Sequence, residues 1–218
     1  NAPGVAGVGD IWTIGADGSG QQRLTNAVGY VNLVGAATNT AVGIRVQPYT
    51  ETAFGALSAP STIFTRAADP VGFTAVSLGT GAISLSWGAA GNPPTTRYEV
   101  SLSTVGFPLS VSTPIALAAG FTQTATTFVN LAAGTTHFWR LRAYTGDSLP
   151  TADFDVSTQT LPGTVSVPAP AVLGVSSIAW TWTNTAGPSV TSYVLSRASD
   201  GVTVTTVSAT SFTETALS

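Results

Sequence analysis

One stretch decides the fold of this chain: Phe128-Val129-Asn130-Leu131-Ala132-Ala133-Gly134-Thr135-Thr136-His137-Phe138-Trp139-Arg140-Leu141-Arg142-Ala143-Tyr144. It predicts a strand that ends at Leu131, a tight Ala-Gly corner, and a second strand. Two sets of side chains alternate along the second strand: His137, Trp139, Leu141 and Ala143 on one face, and Phe138, Arg140, Arg142 and Tyr144 on the other. Alternation with a period of two is typical of a strand with one buried face. The stretch therefore predicts an inward face rich in apolar residues and an outward face that carries two arginines.

The sequence repeats at a spacing of 95 residues. The residue pairs that share this spacing are Trp87 and Trp182, Tyr98 and Tyr193, Arg45 and Arg140, and Tyr49 and Tyr144. Leu33 and Leu131 are 98 residues apart, which places a three-residue insertion in the first copy, before Val42. A repeat of this length, made of short alternating segments and turns, predicts an array of β-sandwich domains.

The boundaries follow from the same spacing. Asp69-Pro70 punctuates the chain as a linker would, and Leu161-Pro162-Gly163 does so again. We predict a partial copy in residues 1–67, a complete domain in 68–162 and a second partial copy in 163–218. The fold class is all-β throughout, since no stretch has a helical period.

Composition limits the function. Only 8% of the 218 residues are charged, against about 25% in an average soluble protein, and the net charge is −3. Without cysteine there are no disulfides or thiolate metal sites. No basic patch favours nucleic acid, and no run approaches the roughly 20 apolar residues of a membrane span. No charged and apolar leader is present, so we expect any signal peptide to have been removed.

The repeated residues resemble the fibronectin type III domain, in the form common in secreted bacterial proteins. That family has seven strands in two sheets, with a tryptophan on strand B, a tyrosine on strand C and a Leu-x-Pro-Gly-Thr-x-Tyr corner before strand F. Trp87 and Trp182 match the first landmark, Tyr98 and Tyr193 match the second, and residues 131–137 match the corner. Alanine replaces the corner proline here, and His137 replaces the corner tyrosine. The resemblance implies a sandwich fold and no particular activity.

The same alignment gives the first copy strands C to G and the third copy strands A to E. Each missing pair of strands would remove roughly six inward side chains at about 1.5–3 kcal/mol each, so neither end should fold alone. Two explanations stay open: the native polypeptide runs on as a longer array, or adjacent chains supply the strands, as in donor-strand complementation.

No catalytic, cofactor-binding or metal site is predicted. His137, the single histidine, is interpreted as a core residue that bonds a backbone group. Asp153 and Asp155 could attract calcium, but too few oxygen donors lie nearby, so we favour a solvated edge strand. Thr145-Gly146-Asp147-Ser148 lies where some family members carry Arg-Gly-Asp, yet the arginine is missing.

Two interpretations concern the outward face of strand F. We expect Arg140 or Arg142 to pair with Glu99 on strand C, contributing about 0.2–1 kcal/mol. The alternative is a ligand-binding face built from Phe138, Arg140, Arg142 and Tyr144.

The middle copy has 11 or 12 extra residues between Gly106 and Phe121, with apolar side chains at Leu109, Val111, Ile115, Leu117 and Phe121. An exposed apolar patch marks a contact surface. We expect the segment to pack against a neighbouring domain or subunit; the alternative is a flap folded onto its own sheet.

The scattered carboxylates form no acid-base pair, so we do not expect an enzyme. We expect an extracellular structural protein that self-associates: a repeat section or subunit of a surface fibre, pilus-like filament or adhesin stalk. The alternative is a non-catalytic spacer or carbohydrate-contacting module of a larger secreted enzyme. Sugar stacking would need outward tryptophans, and all five are predicted to point inward: Trp12, Trp87, Trp139, Trp180 and Trp182.

Overall fold

The computed structural model describes residues 12–13, 22–23, 36–47, 49–50 and 53–215. Its strands are β1 (Trp12–Thr13), β2 (Gln22–Arg23), β3 (Ala41–Arg45), β4 (Tyr49–Thr50), β5 (Ala53–Phe54), β6 (Ser61–Phe64), β7 (Val71–Ser77), β8 (Ile83–Gly88), β9 (Arg97–Ser103), β10 (Ser112–Ile115), β11 (Ala125–Phe128), β12 (Thr136–Tyr144), β13 (Phe154–Gln159), β14 (Ala171–Gly174), β15 (Ser177–Thr181), β16 (Tyr193–Ser196), β17 (Thr203–Val207) and β18 (Ser211–Thr215). The described residues contain one 3-10 turn, Leu117–Ala119, and no α-helix.

Residues 71–159 form a sandwich of two antiparallel sheets. One sheet has the order β10-β9-β12-β13, and the other has the order β11-β8-β7. In fibronectin type III terms these are C′-C-F-G and E-B-A. The predicted all-β class is therefore confirmed, and so is the sandwich built around strand β12.

The core lies between these two sheets because apolar residues alternate along their strands. Its buried members are Phe73, Ile83, Leu85, Trp87, Tyr98, Val100, Trp139, Leu141 and Ala143. Trp139 is fully buried and stacks on Phe128, with the ring centroids 4.6 Å apart. The inward face predicted for β12 is confirmed, because Trp139, Leu141 and Ala143 are all buried. Leu102 is only half-buried and packs against the margin of the core.

The corner before strand F is held by the hydroxyl of one threonine, and this arrangement occurs twice. The Thr160 hydroxyl donates to the Ala132 carbonyl at 2.6 Å and accepts from the Thr135 amide at 3.1 Å. The Thr65 hydroxyl, 95 residues earlier, donates to the Ala37 carbonyl at 2.6 Å and accepts from the Thr40 amide at 2.9 Å. The partners are also 95 residues apart, so the repeat seen in the sequence is a repeat of hydrogen bonds.

Residues 163–215 repeat part of the same architecture. A sheet with the order β14-β15-β18 faces the hairpin β16-β17. Trp182 meets Tyr193 edge to face at 5.3 Å and 68°, as Trp87 meets Tyr98 at 5.4 Å and 65°. Within this region, the edge of β16 away from β17 has no strand partner.

Strands from the first part of the chain form a sheet with the order β2-β1-β3-β6. On the 95-residue spacing, β3 falls on β12 and β6 falls on β13, so this pair of strands follows the repeat. The predicted strand Gly29–Leu33 lies outside the described residues. The proposed boundaries at residues 67 and 162 stay predictions.

The segment between Gly106 and Phe121 corrects one expectation. Its strand β10 pairs with β9, and Ile115 and Phe121 pack against the core of the same sandwich. The flap alternative is therefore the correct one for this part, because an edge strand on its own sheet buries these side chains without a partner domain. Leu109, 65% exposed, and Val111 still face outward, and association through them stays a prediction.

Candidate functional site

Five charged side chains form a continuous ladder on the outward face of β9, β12 and β13. Arg140 binds Asp155 through two hydrogen bonds of 2.8 Å, and its third nitrogen lies 2.8 Å from Asp153. Arg142 bonds Asp153 with its Nε and lies 3.5 Å from Glu99. The ladder forms because Arg140 sits directly opposite Asp155, and Arg142 directly opposite Glu99. The predicted pair between β9 and β12 is confirmed.

Electrostatics in the ladder favour the charged forms. The hydrogen bond from Arg142 holds the pKa of Asp153 below its usual value, and the Asp153 bond in turn raises the pKa of Arg142. The pKa of Tyr144 is raised by burial and by its 3.1 Å hydrogen bond to Glu99. Each charged side chain of the ladder therefore has an oppositely charged partner inside the protein, and two arginines against three carboxylates leave one formal negative charge.

Asp153 and Asp155 lie at the exposed edge of the sheet, as predicted, because β13 is an edge strand and both side chains reach solvent. The sequence did not predict that each carboxylate also pairs with an arginine of β12. Arginine pairing also removes the negative charge that calcium would need. Among the described residues, no three acidic or histidine side chains lie close enough together to hold a metal ion.

The alternative of a ligand face on β12 meets the same obstacle. The guanidinium groups of Arg140 and Arg142 are committed to carboxylates, and Phe107 lies 4.2 Å from Arg140, over its planar group. Phe107 belongs to the extra segment of the middle copy, so that segment also covers one end of the ladder. The two guanidinium groups are therefore not free to bind an external anion.

His137 lies in the core, as predicted. The ring is 2% exposed, and its Nδ1 donates to the Thr135 carbonyl at 2.9 Å. Burial holds the pKa of His137 below its usual value, with the Thr135 bond acting against the shift. The ring is therefore neutral at neutral pH. Its hydrogen bond to Thr135 holds the corner, at the position where fibronectin type III domains have a tyrosine.

The loop Thr145-Gly146-Asp147-Ser148 is occupied by a contact within the chain. The Gly146 amide donates to Asn39 at 3.0 Å, and Asp147 accepts from the Phe64 amide at 2.7 Å. Some fibronectin type III domains carry a cell-attachment motif in the equivalent loop, whereas here the loop contacts the preceding copy. Asn39 was not predicted as a contact residue, although its position 95 residues before Gly134 marks it as part of the same corner.

A cleft of about 580 Å³ lies in the third copy, lined by residues between Pro162 and Glu214. It opens beside the unpaired edge of β16. Its apolar lining includes Val165, Trp180, Trp182, Tyr193, Leu195 and Phe212. Tyr98, the equivalent of Tyr193, lies on β9, and β12 pairs along that strand in the middle sandwich. The cleft therefore has the position that a strand F would take.

The tryptophans are largely inward, as predicted. Trp87, Trp139 and Trp182 are buried, and Trp180 is half-buried in the cleft. The side chain of Trp12 lies outside what the structure describes. An outward tryptophan platform for sugars is therefore not seen among these four residues.

No protein-family model matches the sequence, and no curated protein matches it either. In the described residues, no helix is long and apolar enough to cross a membrane.

Among the solved structures to which this chain is similar are fibronectin type III domains. The three-domain FN1–FN3 fragment of chicken CNTN1 is 16% identical with a TM-score of 0.35, over 70% of this chain and 56% of that fragment. This chain therefore spans about half the length of the chicken fragment. The fibronectin type III domain of human fibronectin type III domain containing protein 3 is 18% identical with a TM-score of 0.36, over 43% of this chain and 85% of that one.

A third structure, titled FN3tt, is 20% identical with a TM-score of 0.36, over 44% of this chain and 95% of that one. Since these similarities are low, the strand order and core of residues 71–159 define the fold. The chain is an all-β protein with a fibronectin type III-like sandwich at its centre.

Proposed function

We propose that this chain is a section of an extracellular structural array, such as a surface fibre, a pilus-like filament or an adhesin stalk. The observation that carries the proposal is the short connection between the first copy and the middle sandwich. Only two residues separate Thr65 from Ala68, and Thr65 and Ala68 are both hydrogen-bonded. The Thr65 hydroxyl and amide bond the corner of the first copy. Three residues later, Asn92 of the middle sandwich holds both the amide and the carbonyl of Ala68, each at 2.8 Å. Repeats joined without a free linker suit a long mechanical element.

The charge distribution supports the same function. The charged ladder is internally paired, and the rest of a chain with only 8% charged residues offers little repulsion between copies. Fibronectin type III-like domains commonly serve as structural or adhesive modules. Localisation outside the cell is part of this proposal.

Association between chains through strand complementation is a finer part of the proposal. The cleft beside β16 exposes Trp180 and Tyr193, which belong to the inward face of the repeat. A strand from a further copy of the repeat, with alternating aromatic and aliphatic side chains like β12, would cover them. Pairing of an exposed strand edge supplies backbone hydrogen bonds, and the apolar pockets supply specificity.

Negative-stain microscopy of the native material tests the proposal. We expect filaments or rods, because repeats joined end to end without slack form extended particles. Compact, monodisperse particles that carry hydrolase activity would contradict it and would favour a spacer in a larger secreted enzyme.

A further inference from the structure

Asn39 is the central residue of the contact between the first copy and the middle sandwich. Its side chain is 6% exposed and uses both ends of its amide. The Nδ2 donates to Thr96 at 2.8 Å and to the Tyr144 carbonyl at 3.1 Å, and the Oδ1 accepts from Gly146 at 3.0 Å. A buried amide with three partners fixes a geometry, because losing any partner leaves a polar group unpaired.

The loop Thr145–Ser148, which contacts Asn39, also binds β6, the last strand of the first copy. Asp147 accepts from the Phe64 amide at 2.7 Å. The Phe64 ring lies so close over Gly146 that a Cβ at that position would overlap it. Only glycine therefore allows the ring and the loop to approach this closely.

The loop is held in shape before it meets its partner. Arg97 donates to the Ser148 hydroxyl at 3.0 Å, and the Thr145 amide bonds the Leu149 carbonyl at 2.9 Å. These bonds lie within the middle sandwich and do not depend on the first copy. A preorganised loop loses little conformational entropy on docking.

The next pair of copies meets through the equivalent positions. Gly134 and Gly187 lie 95 residues after Asn39 and Asn92, and their backbones are packed so closely that a Cβ on either would collide with the other side. The Ser189 amide donates to the Gly134 carbonyl at 2.8 Å. Asn39 and Gly134 share the left-handed conformation, with φ of 46° and 52°. The same corner therefore docks onto the same loop in both pairs, once through a side chain and once through the backbone.

We propose that these contacts form a repeat-to-repeat lock, in which the strand E–F corner of one copy docks into the B–C and F–G loops of the next. The partner that this surface fits is a further copy of the same repeat. The lock fixes the angle between neighbours, so that an array grows as a stiff rod. Because the loop Thr145–Ser148 bonds the neighbouring copy in this lock, its groups are not available to an external ligand.

Distance measurements between spin labels test the lock, and the absence of cysteine from the chain makes labelling specific. Ser61→Cys and Thr127→Cys place labels at exposed strand positions on either side of the first junction. Electron–electron double resonance should give a narrow distance distribution. Adding Gly146→Ala, which wedges Phe64 away, or Asn39→Ala should broaden the distribution or shift it to longer distances.

Leu149→Ala is the matched control, because its side chain is exposed in the same loop; it should leave the distribution narrow. Asp147→Asn keeps an acceptor for the Phe64 amide and should behave like the parent. Circular dichroism confirms that each variant is folded. A broad distribution in the parent, or an unchanged one in both Gly146→Ala and Asn39→Ala, would overturn the lock. Neither result bears on filament formation, which microscopy of the native material tests separately.

Discussion

Replacing Trp139 with alanine should lower the free energy of unfolding of the middle sandwich by about 3–5 kcal/mol. Trp139 is fully buried at the centre of β12, stacks on Phe128, and is paired on both sides, with Leu102 and Val156. The loss has two sources: the transfer free energy of the missing ring and the cavity that the two sheets cannot close. Against a typical stability of about 5–15 kcal/mol, this change would unfold much of the sandwich.

Urea denaturation followed by hydrogen exchange mass spectrometry measures this loss and assigns it to peptides of residues 71–159. Val76→Ala is the control, because Val76 is 56% exposed on the outward side of β7. It should change the stability by less than about 0.5 kcal/mol. A loss below about 1 kcal/mol for Trp139→Ala would be too small for a core position.

Replacing Thr160 with valine should cost about 1–3 kcal/mol, although the two side chains have nearly the same shape. The Thr160 hydroxyl donates to the Ala132 carbonyl at 2.6 Å and accepts from the Thr135 amide at 3.1 Å. Valine can do neither, so both backbone groups lose their partner beside a side chain that is 1% exposed. The corner that carries the repeat contact should loosen as well.

Two further valine variants complete this experiment under the same denaturation assay. Thr65→Val removes the equivalent bonds at a half-buried corner, where water can replace them, so it should cost less. Thr127→Val lies on an exposed strand face and should be nearly neutral. If Thr160→Val behaves like Thr127→Val, the hydroxyl does not hold the corner.

Sequence alone predicted the fold because inward and outward side chains alternate cleanly along the strands. Ile83, Leu85 and Trp87 on one strand face Tyr98 and Val100 on another, and burial follows the same alternation. The 95-residue spacing carried this pattern to the third copy. Strand identity was therefore readable wherever one face of a sheet is buried.

The contacts between copies were not readable in this way. Asn39, Asp147 and Gly146 come from polar loops without periodicity, and their partners are 57 to 107 residues away in the sequence. The partners of Asp153 and Asp155 were missed for a related reason. Which arginine faces which carboxylate depends on the register of β12 against β13, and alternation gives the face of a side chain without its cross-strand partner.

The apolar residues of the extra segment in the middle copy did not reveal which surface the segment packs against. Its side chains were expected to face a neighbour because they are apolar and lie in an insertion. Ile115 instead returns to its own core, because β10 adds to the free edge of β9. Apolar residues indicate burial, whereas the partner that buries them depends on which sheet edge is available.

Small-angle X-ray scattering on the dilute chain shows whether the copies are joined end to end by connections too short to bend. At concentrations where the scattering mass is that of one chain, we expect an elongated particle. Its distance distribution should peak at the width of one sandwich and extend in a long tail to the length of the joined copies. A symmetric distribution with a single maximum, as given by a compact particle, would contradict the end-to-end arrangement.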